Sequence, residues 1–252
     1  MLYYIFCDVV SNTTSNIYIH LITGYQFREV IIMIKKLKEP GSAITHFIAM
    51  ILAIFSAIPL VIKAVSEGAN AIHIVSFLIF VISMVLLYAA STLHHSLNLS
   101  EKANTLFRKI DHMMIFVLIA GTYTPVCLIV LEPSTGIPLL ALVWGIAIGG
   151  IIINALWITC PKWFSSLLYI AMGWTCVLAF TQIISNLPKA AFAWLLSGGI
   201  VYTIGGIIYA LKLPIFNSKH KNFGSHEIFH LFVMAGSLCH FILMYSFLTN
   251  MH

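Results

Sequence analysis

Residues 71–97 read AIHIVSFLIFVISMVLLYAASTLHHSL, an apolar run with no Asp, Glu, Lys or Arg that closes on Ser91-Thr92-Leu93-His94-His95. About 20 apolar residues suffice to cross the roughly 30 Å hydrocarbon core of a bilayer as a helix, which satisfies every backbone amide internally. The run is continuous rather than alternating and too long for a barrel strand, so a β reading fails.

The pattern recurs on both sides. Similar runs at 43–64, 110–131, 136–159, 163–184, 190–211 and 226–248 bring the predicted spans to seven. Composition agrees, with 60% hydrophobic and 8% charged residues, whereas soluble domains carry about 25% charged. The reading is an all-α polytopic membrane protein, a seven-helix bundle whose short connections make residues 39–250 one domain. Residues 1–38 fit least well, because the stretch 18–34 is interrupted by His20, Thr23, Gln26, Arg28 and Glu29. We expect a poorly ordered extension there, with Met33 as a second candidate start. The five cysteines show no paired spacing and read as small core thiols rather than a disulfide framework.

Of the thirteen basic residues, eleven fall at the amino-terminal flank and in the even-to-odd connections, leaving only Lys63 and Lys189 for the other side. The positive-inside rule then predicts a cytoplasmic amino terminus and an outside carboxyl terminus. This orientation suits a multi-pass protein of the plasma membrane. No basic-aromatic patch argues for nucleic acid.

That topology brings several costly polar groups to one depth. Ser91 and His95 share a helical face near the end of the second run, Asp111 begins the third, and His226 and His230 sit four apart at the start of the last. Each has a packing explanation when taken singly. Together they form a metal-site pattern, since three imidazoles plus an open position is the ligand set of a catalytic zinc. His94 competes with His95 for the first ligand position, and His95 shares the Ser91 face. Thr45 and His46 start the first run at the same level and read as supporting groups. His73 and His112 read as interfacial residues, and His240 lies too far along the last run to reach the same ion. His226-Glu227-x-x-His230 also satisfies the H-E-x-x-H pattern of zinc proteases, an alternative in which Glu227 is the general base; otherwise Glu227 is a helix N-terminal dipole partner.

The order Ser91-Thr92-Leu93-His94-His95, Asp111, His226-x-x-x-His230 resembles the hemolysin III family of the progestin and adiponectin receptor-like superfamily. The block from Glu39 to His46 and Gly121-Thr122-Tyr123-Thr124-Pro125 look like two further family segments, and the likeness covers residues 38–250. It implies a zinc bound near the cytoplasmic side by His95, His226 and His230, with Ser91 and Asp111 around a zinc-activated water. It also implies ceramidase-like hydrolysis of a membrane lipid amide or ester, since the wider group includes alkaline ceramidases. Two other readings stay open: a membrane-lysing protein, after the hemolysin label of bacterial members, or a receptor-like sensor with structural zinc. Ser42 departs from the pattern by standing where an asparagine is common, and the extension has no counterpart.

Overall fold

The computed structural model describes residues 37–157, 162–211 and 224–251. Within them seven helices are long and apolar enough to cross a membrane, and no strand occurs among the described residues. The readings made of residues 1–36, of Cys7, Cys160, His20, His220 and His252, and of the basic residues Lys212, Lys219 and Lys221 lie outside the described residues.

The helices are α1 (Pro40–Ser66), α2 (Ala71–Ser96), α3 (Glu101–Pro125), α4 (Pro133–Leu156), α5 (Lys162–Gly173), α6 (Lys189–Leu211) and α7 (Ser225–Ser246). Proline opens both α1 and α4, where its missing N–H costs nothing because the first amides have no intrahelical acceptor. Asn70 starts α2 by accepting from the His73 amide at 3.0 Å.

The largest departure from the predicted runs is in α3. It begins at Glu101, capped by Ser100 Oγ on the Ala103 amide, rather than at residue 110. Its first turns carry Lys102, Arg108 and Lys109, so hydropathy does not register them. After Pro125 the same helix continues as a π turn, Val126–Val130. Gly136 of α4 packs on the carbonyl of Cys127 there, in a space that any Cβ would overlap.

The fifth span is not one regular helix. α5 gives way to a 3-10 segment, Trp174–Ala179, before a short helix, Phe180–Asn186, completes the crossing. Tyr123 of α3 makes good the loosened backbone, donating its hydroxyl to the Gly173 carbonyl at 2.6 Å and accepting from the Cys176 amide at 2.8 Å. Trp174 Nε1 bonds Thr203 Oγ1 of α6 at 3.0 Å, tying the break to its neighbour.

Consecutive helices pack side by side from α1 to α4, and α7 closes on both α6 and α1. α3 is central, touching α2, α4 and α5. Phe77, Phe80 and Phe116 are fully buried, whereas Leu52, Phe55, Ile58 and Ile62 of α1 face outward. Outward apolar side chains are expected in lipid, where close packing and not apolar burial holds helices together.

Candidate metal centre

α2 ends, and α1 and α7 begin, at the same end of the bundle. The chain entering α1 pairs with the end of α2, the Glu39 amide donating to the His95 carbonyl at 2.9 Å. This pairing places the Glu39 side chain against the His95 ring, and Oε2 meets Nδ1 at 2.5 Å. The hydrogen bond from His95, working against partial burial, holds the Glu39 carboxyl down at about 2. A carboxylate on Nδ1 puts the proton there and leaves the Nε2 lone pair free, the outer-shell arrangement usual for a metal-binding histidine.

His95 Nε2 looks directly at His226 Nε2, 3.2 Å away. His230 is the third member: one ring nitrogen from each of His95, His226 and His230 lies within 4.8 Å of the other two. Zinc–nitrogen bonds of 2.0–2.1 Å at tetrahedral angles separate ligand atoms by roughly 3.3 Å, so the His95–His226 spacing is that of two nitrogens on one ion. His95 and His230 are almost wholly buried, and the His230 ring also meets the Ser42 backbone of α1. The donor set fits a divalent metal, and the cluster could bind one.

His94 does not join the two α7 histidines. It groups with His95 and Asp111, again within 4.8 Å. Asp111 is buried in the third turn of α3, not at its beginning. So far from the helix start it cannot serve as a dipole partner, and it stands as a buried carboxylate beside the histidines. Ser91 is completely buried, its hydroxyl set against the Asp111 carboxylate.

Of the two residues read as supporting groups, His46 meets the centre and Thr45 turns back on its own helix. Thr45 bonds back to the carbonyls of Gly41 and Ser42 in its own helix. His46 stacks on His230, centroids 3.7 Å apart and planes 13° from parallel. Ser42 Oγ donates to Glu227 Oε1 at 2.7 Å, and Glu227 Oε2 accepts from the Gly224 amide at 2.7 Å. Both Glu227 oxygens are thus engaged in fastening the start of α7 to α1. Glu39 carried no assigned role in the sequence; an acid set directly before the first span was the available signal.

An apolar cavity opens from this centre into the bundle. Ser91, Asp111, His226 and His230 line one end, and Leu139, Ile183 and Phe192 the other. Along α6 the lining runs from Tyr209 to Phe192, about 25 Å at 1.5 Å per residue. His112 is a lining residue as well, not an interfacial one, and His73 is buried at the start of α2. His240 lines the cavity partway along.

Fold and cluster together define a multi-pass membrane protein with a buried histidine-aspartate centre capable of holding a metal. The haemolysin-III related family matches residues 34–241, and the chain belongs to that family, within the progestin and adiponectin receptor-like superfamily. "Hemolysin-3" of Bacillus cereus is 42% identical over 200 residues, 79% of this chain and 87% of that protein. A "Hemolysin-3 homolog" of Bacillus subtilis (strain 168) is 40% identical over 204 residues, 81% and 91% of the two chains. More distantly, an "Adiponectin receptor protein" of Drosophila melanogaster is 37% identical over 60 residues, 23% of this chain and 14% of that one.

Proposed function

We propose that the protein is a zinc-dependent hydrolase of a membrane lipid amide or ester, with His95, His226 and His230 as ligands. The observation that carries this is the position of the three-nitrogen cluster, which meets Ser91 and Asp111 at the mouth of a long apolar cavity. Three protein ligands leave a coordination position open, whereas a structural zinc is closed by four. When bound, the ion would supply a Lewis acid and lower the pKa of a bound water to about 7.

The remaining steps belong to the protein. Glu39 fixes the tautomer and orientation of His95. Asp111 accepts the proton of the attacking water and returns it to the leaving nitrogen or oxygen. Ser91, buried beside the Asp111 carboxylate, donates to the oxyanion that develops at the scissile carbonyl. The acyl chain lies in the cavity while the headgroup stays at the membrane surface. The basic-residue count supports a histidine end on the cytoplasmic side and a carboxyl terminus outside, with the plasma membrane as the proposed location.

The protease reading has no support here, because Ser42 and Gly224 hold the Glu227 carboxylate. A receptor-like sensor with structural zinc is the second reading, favoured by the name of the Drosophila melanogaster relative. Metal analysis of purified protein tests the centre: about one zinc per chain is expected, falling to none in the His226→Ala/His230→Ala double variant. Incubation with ceramides, acyl amides and phospholipids tests the chemistry. Zinc-loaded protein that cleaves none of them overturns hydrolysis and leaves the sensor. Liposome leakage that survives loss of both histidines would instead establish a lytic protein.

A further inference from the structure

His240 has a geometry that the hydrolytic centre does not use. It lies ten residues beyond His230 on α7, about 15 Å along the axis. Its ring lines the cavity yet is 4% exposed, and Nδ1 has no partner among the described residues. The ring stacks on Tyr202 of α6, centroids 5.4 Å apart at 27°. Tyr202 and Tyr88 both hydrogen-bond Ser237 Oγ, at 2.9 and 2.7 Å. Those two bonds leave one of the three hydroxyl protons unused among the described residues.

The two helices make room for this group reciprocally. A Cβ at Gly198 of α6 would stand 2.6 Å from His240 Nε2, and one at Gly236 of α7 would stand 2.5 Å from the Tyr202 ring. Simple packing would be served equally by phenylalanine at position 240, without an orphaned polar atom in an apolar wall. A neutral imidazole presents one N–H and one lone pair, which is what a hydroxyl, both donor and acceptor, completes.

We propose that His240 and Tyr202, the latter held by Ser237 behind the wall, form a second polar subsite, halfway along the cavity, for a mid-chain hydroxyl of the bound acyl chain. This rests on reading the cavity as the acyl site. At about 15 Å from the metal end, the hydroxyl would fall roughly a dozen carbons along an extended chain. The substrate class is then a lipid with a hydroxylated long acyl chain.

The test is equilibrium binding of free acids to the full-length, zinc-loaded protein in detergent, by displacement of a fluorescent fatty acid. 12-Hydroxystearic acid is expected to bind about tenfold more tightly than stearic acid, and 2-hydroxystearic acid to gain nothing comparable. In His240→Phe the ratio of the 12-hydroxy to the unsubstituted acid should fall to about one. Equal affinities in the unmutated protein, an equal gain for the 2-hydroxy acid, or a preference that survives His240→Phe overturns the subsite and leaves the acyl cavity standing. Failure of every acid to bind overturns both.

Discussion

In the most apolar stretch of α3, 61% of residues are buried inside the bundle, whereas in the span begun by α5 the share is 17%. α2 resembles the first, with 50%, and α6 the second, with 22%. The polar groups follow this division. Ser91, His95 and Asp111 lie on α2 and α3, while α5 and α6 contribute the outer wall of the cavity and no member of the cluster. His226 and His230 lie on α7, intermediate at 39%, so the cluster draws on the three helices whose apolar stretches are most buried, as a preorganised site requires. The α5–α6 wall of the cavity is among the least buried parts of the bundle.

The largest expected effect tests the packed side chemically. Asp111→Asn keeps the shape of the side chain but removes its capacity to carry a proton, so turnover should fall about 10²- to 10⁴-fold. Zinc content should stay near one per chain, because Asp111 is outside the three-imidazole group. Lost zinc in that variant would make Asp111 a ligand and redraw the centre around His94, His95 and Asp111.

Next comes Phe116→Ala, which tests the same side mechanically. The ring is fully buried, packs against Gly150 of α4 so closely that no Cβ would fit, and meets Tyr169 of α5 edge-on at 4.6 Å. Truncation should cost about 3 kcal/mol or more in reversible unfolding. A negligible loss would show that α3 is not the bundle's locked centre. Glu39→Gln is smaller again. It preserves a hydrogen-bonding oxygen but not the charge on His95, so zinc affinity should drop about 10- to 100-fold by competition with a chelator, with the fold intact.

How much of this was legible in the sequence depends on the range of each contact. The seven spans follow from apolar run length, a local property, and the level shared by Ser91, His95, His226 and His230 follows from counting crossings. Contacts set by tertiary approach were not legible. Glu39 reaches His95 across 56 positions, and Ser42 reaches Glu227 across 185; neither leaves a periodic trace. The start of α3 was missed because its first turns are charged, so an apolar scan placed Asp111 in a first turn that lies ten residues upstream. His240 was recognisable as out of reach of the ion, but its place in the cavity wall depends on Gly198, whose meaning appears only once α6 and α7 are side by side.

The smallest predicted effect is on the loose side and sharpens the contrast most. Leu178 lies in the 3-10 segment of the fifth span and is 72% exposed, pointing away from the bundle. Truncating it to alanine opens no void, since lipid tails fill the space that the side chain leaves, and no hydrogen bond of the Tyr123–Gly173–Cys176 junction involves it. Leu178→Ala should therefore change unfolding free energy by no more than about 0.5 kcal/mol. It should also leave zinc content untouched. A loss comparable to that of Phe116→Ala would mean that this face is covered by protein in the membrane, so that the low burial of the fifth span belongs to the isolated chain and the two kinds of wall are one.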